Sequence, residues 1–382
     1  MEISPFTVAV SDEAIVDLRT RLATTRWPDR ELVDDWSQGV PLTYVQELCE
    51  YWATEYDWQR CEDQLNAQPN FTTEVDGLSV HFQHIRSPHA DATPMIMSHG
   101  WPGSVLEFQK VIAPLTDPTS HGGTESDAFH LVIPSLPGYG WSEHPASTGT
   151  GIEKIAEMWD LLMVRLGYDG YIAHGGDWGG VITTAIGIQA RGHCRAIHTT
   201  MPMAVPDPET MNDLTEAERS ALKALSFYDR WDSGFSKQQS TRPQTLGYGL
   251  ADSPSGQAAW IVEKFHAWTD CDGYLENALT RDELLDNISL YWFTETATSS
   301  ARLYWESFGE IGSDEVQLPT GCSIFPKDIV RLSRRWAEQR YRDIAYWNEL
   351  DRGGHFPALE IPEVFVVELR AAKPFLLTAS GT

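Results

Sequence analysis

Hydrophobic and polar residues alternate with two different periods along this chain. A helical spacing of apolar residues over Asp12–Ala23 and Leu42–Glu55 predicts two amphipathic helices, and the strand-like alternation near Phe71–Ile85 predicts a hairpin. Further along, short apolar runs separated by loops and helical patterns predict four buried strands, at Met95–Ser98, Leu131–Ser135, Tyr171–His174 and Ala196–Thr199. Strands that alternate with helices predict an α/β protein with a mainly parallel sheet and helices on both faces.

The same pattern divides the chain into four segments. Residues 1–92 form an N-terminal segment, and residues 93–204 form the first part of the α/β core. Residues 205–312 are aromatic-rich and helical, are punctuated by Pro and Gly, and show no strand alternation, so they predict a lid inserted after the sixth predicted strand. The core resumes over residues 313–382 and ends with a helix from about Pro362.

Composition limits the partners of the protein. The net charge is −27, with 28 basic against 55 acidic residues, and this charge disfavours nucleic acid and anionic membranes as partners. No run approaches the length of a membrane-spanning helix, and the first twenty residues lack the apolar core of a signal peptide. Five scattered cysteines without a C-x-x-C spacing predict reduced, buried thiols in a cytoplasmic protein. Assembly as a homodimer is left open.

The sequence predicts neither a metal nor a cofactor. The twelve histidines form no H-E-x-x-H pattern, and no glycine-rich motif opens a helix in the manner of a dinucleotide site. His81 and His84 are three residues apart, but the stretch around them alternates like a strand. We interpret them as solvent-facing strand histidines.

The motif Gly175-Gly176-Asp177-Trp178-Gly179 indicates where the chemistry lies. It stands between a strand-like run and a helical run, and its glycines permit a sharp strand-to-helix turn that exposes the central residue as a nucleophile. Asp177 occupies the position at which many such turns carry serine. A carboxylate nucleophile attacks an sp³ carbon and becomes an alkyl ester, which water must then hydrolyse. The implied substrates are alkyl electrophiles, chiefly epoxides and alkyl halides.

Two further residues complete a catalytic triad in the order nucleophile, acid, histidine. Asp328 follows a strand-like run, and His355 follows two glycines in a loop near the C-terminus. His355 is predicted to take a proton from water, and Asp328 to hold the imidazole in orientation.

The loop His99-Gly100-Trp101-Pro102-Gly103-Ser104 follows the third predicted strand. In this arrangement the backbone N–H groups of Trp101 and Trp178 are the candidate donors of an oxyanion hole. For His99 we favour a role in bracing the loop over a role as catalytic base.

Together these motifs resemble the microsomal-type epoxide hydrolases, a branch of the α/β-hydrolase family. The resemblance covers essentially the whole chain and includes an N-terminal stretch from Phe6 to Arg30, the strand-end loop from Pro134 to Gly140 and lid motifs at Ser240–Thr245 and Glu263–Phe265. It implies an α/β-hydrolase fold with an N-terminal wrapping segment and a helical lid. It also implies that a small apolar epoxide is hydrolysed to a vicinal diol.

The resemblance further implies two lid tyrosines that protonate the epoxide oxygen. One matches Tyr304, but the other position, eight residues before Pro243, is Phe235, which cannot donate a proton. The enzyme then acts through Tyr304 alone or recruits another donor, such as Tyr228 or Tyr248. Phe235, Trp101 and Trp178 are expected to line the substrate pocket.

Two alternatives stay open. A haloalkane dehalogenase also uses an aspartate elbow, and the Trp178 indole would suit a halide. A non-catalytic small-molecule binder on the same scaffold would tolerate Phe235.

Overall fold

The computed structural model describes residues 2–309, residue 312 and residues 314–379. Within these residues the strands form one nine-stranded sheet. In chain order they are β1 (Ser4–Phe6), β2 (Asn70–Val75), β3 (Leu78–Ile85), β4 (Thr93–Ser98), β5 (Phe129–Pro134), β6 (Tyr171–Gly175), β7 (Cys194–Thr199), β8 (Thr320–Ile324) and β9 (Ile344–Glu349). Their order across the sheet is β1-β2-β3-β5-β4-β6-β7-β8-β9.

The sheet is mixed, and its parallel part carries the candidate site. Strands β1, β2, β3 and β5 pair antiparallel, whereas β5, β4, β6, β7, β8 and β9 pair in parallel. The four apolar runs of the sequence coincide with β4, β5, β6 and β7. Helices cover both faces of these strands, so neither face has to carry polar side chains toward water. The predicted α/β architecture, a mainly parallel sheet with helices on both faces, is confirmed.

Two strands lie outside the sequence prediction. β1 has only three residues and contains a proline, and it pairs with β2 at the sheet edge. β9 begins with the apolar run Ile344-Ala345-Tyr346-Trp347, but none of its residues is fully buried, and it lies at the other edge of the sheet. Because β1 precedes the predicted hairpin, the lid follows the seventh strand of the sheet, which is the sixth predicted one.

Helices surround the sheet. Those of the described chain are α1 (Asp12–Ala23), α2 (Leu42–Thr54), α3 (Trp58–Asn66), α4 (Gln109–Thr116), α5 (Ile152–Arg165), α6 (Asp177–Gln189), α7 (Glu216–Phe227), α8 (Gly234–Thr241), α9 (Pro243–Asp252), α10 (Pro254–Trp268), α11 (Arg281–Phe293), α12 (Ala297–Ser307), α13 (Arg334–Ala337), α14 (Pro357–Glu360) and α15 (Pro362–Ala379). Short 3₁₀ helices lie at Val105–Phe108, Pro118–His121, Glu125–Asp127, Pro208–Asn212 and Leu275–Asn277. A π-helical turn spans Tyr228–Asp232. Helix α5 packs on α6, and α4 packs on α15.

Local signals explain where the lid helices begin. Helices α7 to α12 lie between β7 and β8. Thr215 before α7 and Thr280 before α11 each form a capping box with the glutamate three residues later, which satisfies free N–H groups at the helix start. These caps fix the first turn of two helices that carry residues to the site.

The N-terminal segment holds the lid from outside. The Trp52 indole N–H donates to Ser289 Oγ at 2.9 Å, and the Tyr56 hydroxyl donates to Asp286 Oδ1 at 2.7 Å. All four residues are buried, so these hydrogen bonds are shielded from water. Helix α11 is therefore fixed to α2 and to the loop that follows it.

The interpretation of His81 and His84 as solvent-facing is wrong. His81 is fully buried, and its ring contacts Ser135 Oγ at 2.9 Å and Asn70 Oδ1 at 3.1 Å. Strand β3 lies between β2 and β5, and Phe6 and Trp141 pack on the His81 ring. His84 is partly buried, so neither histidine faces open solvent. The five cysteines are free thiols, and all are buried.

Candidate functional site

Asp177 stands at a strained turn between β6 and α6. Its backbone φ of +49° lies in the left-handed region, which residues other than glycine rarely adopt. The turn brings α6 very close to the end of β4: a Cβ at Gly179 would lie only 1.9 Å from the Ser98 carbonyl oxygen. The glycine there is required by close packing, and the surrounding backbone holds Asp177 in the position predicted for the nucleophile.

The two oxygens of the Asp177 carboxylate have different partners. The backbone N–H of Trp101 donates to Oδ1 at 2.8 Å, and His355 Nε2 lies 3.1 Å from Oδ2. Trp178 follows directly in the first turn of α6, and its N–H stays the predicted second donor. One carboxylate oxygen thus accepts a hydrogen bond from a predicted oxyanion donor, while the other faces the histidine.

His355 lies between two carboxylates. Its Nδ1 is 2.7 Å from Asp328 Oδ1, and its side chain is almost fully buried. Burial by itself would lower the pKa of His355, but the charges of Asp328 and Asp177 and the hydrogen bonds to both raise it well above the ordinary value. The resting site therefore favours the imidazolium form, paired on both ring nitrogens.

The loop after β4 is braced from two sides. His99 is buried and lies with Nδ1 3.0 Å from the Gly100 carbonyl oxygen, while its Nε2 accepts from the Leu136 N–H at 3.3 Å. Burial lowers the pKa of His99 to about 4, so the ring is neutral near pH 7. These contacts agree with the loop-bracing role.

Two residues of helix α11 that lie outside the sequence prediction hold the same loop. The Asn287 amide donates to the Pro102 carbonyl oxygen at 2.6 Å, and the Tyr291 hydroxyl donates to the Gly103 carbonyl oxygen at 2.8 Å. Asn287 and Tyr291 are four residues apart on α11, so they share a helical face. That spacing is the only sequence signal for the pair, and it does not indicate which loop they meet.

Two glutamates near the triad also lie outside the sequence prediction. Glu360 accepts hydrogen bonds from the backbone N–H groups of Asp270, Gly354 and Phe356, so it holds the histidine loop. Burial raises the pKa of Glu360 to about 7 and that of Glu107 to about 8. The Asp177 charge also raises the pKa of Glu107, whereas the His355 charge lowers it.

A cavity of about 340 Å³ opens above Asp177. Its lining is largely apolar and includes Val181, Met201, Met203, Leu225, Ile329 and Val330. Tyr304 on α12 and Phe235 on α8 line it as well, and both are buried. Burial raises the pKa of Tyr304 well above its ordinary value, and the charge of Asp177 adds to this, so the phenol stays protonated.

Aromatic rings form the wall next to the nucleophile. The Phe235 ring stacks on Trp101 with centroids 5.0 Å apart, and the Tyr304 ring stands edge-on to Trp178 at 4.8 Å. Tyr248, one of the two alternative donors, is 74% exposed and does not line the cavity. The structure brings the seven predicted site residues together: Asp177, Asp328, His355, Tyr304, Trp101, Trp178 and Phe235.

Within the described residues, no group of three or more His, Cys, Asp or Glu side chains is arranged to hold a metal ion. Nor does any helix in that part of the chain combine the length and apolarity needed to cross a membrane.

Comparison with known proteins identifies the family. A model described as the epoxide hydrolase N terminus matches residues 3–108, and an alpha/beta hydrolase fold model matches residues 93–242. A protein of Stigmatella aurantiaca (strain DW4/3-1), whose name assigns it provisionally to the epoxide hydrolases, is 53% identical over 96% of this chain and 84% of its own length. Epoxide hydrolase 1 of Sus scrofa is 35% identical over 96% of this chain and 88% of its own.

A solved structure agrees with these relatives. The crystal structure of juvenile hormone epoxide hydrolase from the silkworm Bombyx mori has a TM-score of 0.91 with 29% identity, covering 100% of this chain and 96% of that chain. The suspected resemblance is confirmed, and this chain belongs to the epoxide hydrolase family of α/β-hydrolases.

Proposed function

We propose that this protein hydrolyses a small apolar epoxide to a vicinal diol in two steps, through an ester on Asp177. One observation carries the proposal. The Asp177 carboxylate is bound by the Trp101 N–H on one oxygen and by His355 on the other, at the floor of an apolar cavity. This arrangement supports both a nucleophilic attack and a later hydrolysis at the same carboxyl group.

In the first step, Asp177 Oδ2 attacks a ring carbon of the epoxide. The carbon–oxygen bond of the ring breaks, and its electron pair passes to the epoxide oxygen, which takes a proton from Tyr304. The apolar lining favours an uncharged, lipophilic substrate and excludes water from the attack.

In the second step, water attacks the ester carbonyl carbon while His355 Nε2 takes its proton. The negative charge develops on Oδ1, the oxygen to which Trp101 already donates. As the tetrahedral intermediate collapses, the bond between the carbonyl carbon and Oδ2 breaks, and the diol leaves with Oδ2 and takes the proton from His355. Asp177 is then a carboxylic acid, and its proton passes to His355 Nε2, which restores the carboxylate and the imidazolium of the resting site.

Ester formation also prepares the histidine for this task. In the resting site the negative charges of Asp328 and Asp177 hold the pKa of His355 up. Alkylation neutralises Asp177, so one of these two causes disappears and the pKa of His355 falls. Its proton can pass to the phenolate left by the first step, and the neutral imidazole needed as a base is formed.

Family membership favours this reaction over the dehalogenase alternative. The epoxide hydrolase N-terminus model matches residues 3–108, and the two named relatives, which carry epoxide hydrolase names, align over 96% of this chain. The intact set of Asp177, Asp328 and His355 also favours an enzyme over a non-catalytic binder.

The test is a single turnover in H₂¹⁸O with enzyme in excess over styrene oxide. Because water attacks the carbonyl carbon of the ester, ¹⁸O is expected in the peptide that contains Asp177, and the first diol is expected to be unlabelled. Asp177→Ala should give neither diol nor labelled peptide, whereas the control Asp169→Ala, which truncates an exposed aspartate just before β6, should behave as wild type. Label in the first diol without label in the peptide would show direct attack by water and refute the ester.

A further inference from the structure

The substitution at Phe235 leaves one side of the cavity without the expected phenol. Phe235 is 5% exposed and fills its place by stacking on Trp101, with its ring centroid 5.7 Å from that of Tyr304. A benzyl ring supplies packing but no proton. The family's second donor is therefore missing from this position, although the position itself is structurally intact.

Another phenol reaches the same cavity from the end of the preceding helix. Tyr228 lines the cavity together with Asp177, Tyr304 and Phe235, and its ring centroid is 6.4 Å from that of Phe235. Tyr228 comes seven residues before Phe235 in the chain, so its hydroxyl approaches the cavity from a different backbone position.

A local departure from α-helical geometry accompanies this phenol. Helix α7 ends at Phe227, and the π-helical turn that follows begins at Tyr228 and is closed by the Ser233 N–H, which donates to the Tyr228 carbonyl oxygen at 2.7 Å. A π turn contains one more residue than an α turn and rotates the side chains relative to the helix before it, and such turns are frequent at functional sites.

The hydroxyl of Tyr228 has a partner suited to proton transfer. It donates to Ser236 Oγ at 3.3 Å, and Ser236 in turn donates to the Ser233 carbonyl oxygen at 2.9 Å. When Tyr228 redirects its proton to a substrate, the Ser236 hydroxyl can rotate and donate to the phenolate. Burial raises the pKa of Tyr228 to about 12, with the Ser236 hydrogen bond opposing the rise, so the group is a protonated acid near neutral pH.

We propose that Tyr228 acts with Tyr304 as the second donor to the epoxide oxygen and replaces the tyrosine lost at Phe235. This inference rests on the proposed function. As the bond from Asp177 Oδ2 to the ring carbon forms and the ring bond breaks, one phenol transfers its proton to the oxygen and the other donates a hydrogen bond to it. The resulting phenolate is reprotonated by the His355 imidazolium, so the protons balance.

The experiment compares alkylation and hydrolysis rates in four variants with styrene oxide. Rapid quenching and mass measurement of the Asp177 peptide follow ester formation and decay. Tyr228→Phe should slow ester formation by about a hundred-fold, of the order lost with one oxyanion donor, and should leave ester hydrolysis unchanged. Tyr304→Phe with Tyr228→Phe should be slower than either alone, and the control Tyr248→Phe, on an exposed tyrosine, should match wild type.

A rescue variant separates a chemical role from a structural one. Phe235→Tyr in the Tyr228→Phe background places a phenol at the neighbouring wall of the cavity and should recover much of the alkylation rate. Wild-type alkylation by Tyr228→Phe would overturn the proposal while the ester mechanism stood. A slow Tyr228→Phe that Phe235→Tyr does not rescue would also overturn it, since the loss would then be structural. Absence of an ester in the wild type would instead refute the proposed function itself.

Discussion

Replacement of His355 by glutamine is expected to stop the reaction halfway. The ring opening needs the Asp177 carboxylate and a phenol, and the Trp101 N–H still donates to Oδ1 in the variant. In the wild type, His355 Nε2 lies 3.1 Å from Asp177 Oδ2 and takes the proton of the attacking water. Glutamine cannot accept that proton. Loss of a general base costs about a hundred- to ten-thousand-fold, which corresponds to roughly 3–5.5 kcal/mol in the barrier of the second step.

The consequence is a stoichiometric burst. Because the second step becomes much slower than the first, nearly one equivalent of epoxide per chain should be consumed rapidly, and the intact mass of the protein should rise by the mass of one epoxide. The control is His84→Gln, which makes the same chemical change at a partly buried histidine on β3, away from the site. Slow turnover of His355→Gln without an adduct would show that His355 also serves ring opening, and our assignment of its role would be refuted.

Two further predictions concern stability. Gly179→Ala should lower the free energy of unfolding by several kcal/mol or prevent folding, because its Cβ would lie 1.9 Å from the Ser98 carbonyl oxygen. The control Gly234→Ala, whose Cβ would meet no atom within 4 Å, should change the free energy of unfolding by less than about 1 kcal/mol. Similar thermal unfolding of the two variants would contradict the packing argument. The Arg335 hydrogen bonds lower the pKa of Glu218 to about 2, so this pair's stabilisation is present above the unfolded pKa near 4.5 and is lost as the pH falls toward 2. Glu218→Gln should therefore cost about 1.5–3 kcal/mol at pH 7, and the difference from wild type should shrink through that acidic window in calorimetry; a difference independent of pH would contradict the assignment.

Short-range patterns of the chain predicted the strands and turns that carry the candidate site, because each has a local physical cause. The strand before Asp177 begins with the apolar residues Tyr171, Ile172 and Ala173, and the glycines around Asp177 are needed for a close backbone approach. β9 lies outside the prediction although it begins with four apolar residues, Ile344 to Trp347, because so short a run does not show by itself whether it forms a strand or part of a helix. The burial of His81 depends on Trp141, sixty residues away, and a strand pattern does not show which partner covers it.

The candidate site likewise combines residues that local motifs predict with residues that only long-range contacts bring in. The order Asp177, Asp328, His355 follows from motif spacing, and the predicted residues lie together. Asn287 and Glu360 hold the two loops of the site through contacts between distant segments, and their residue types are common on any helix surface. The sequence offers Tyr228 and Tyr248 as alternatives, and the structure separates them, because Tyr228 lines the cavity whereas Tyr248 is exposed.

The hydrogen bonds between the N-terminal segment and helix α11 have a consequence for biosynthesis. Trp52 and Ser289 are 237 residues apart in sequence, and Tyr56 and Asp286 are 230 apart. The N-terminal segment is synthesised before α11, so it lacks these partners until the chain has been made through α11. Contacts of such long sequence separation must overcome a large loop-closure entropy, so they form slowly. The lid is therefore locked only after synthesis has passed α11, and an N-terminal fusion or truncation would act on the last stage of maturation as well as on its beginning.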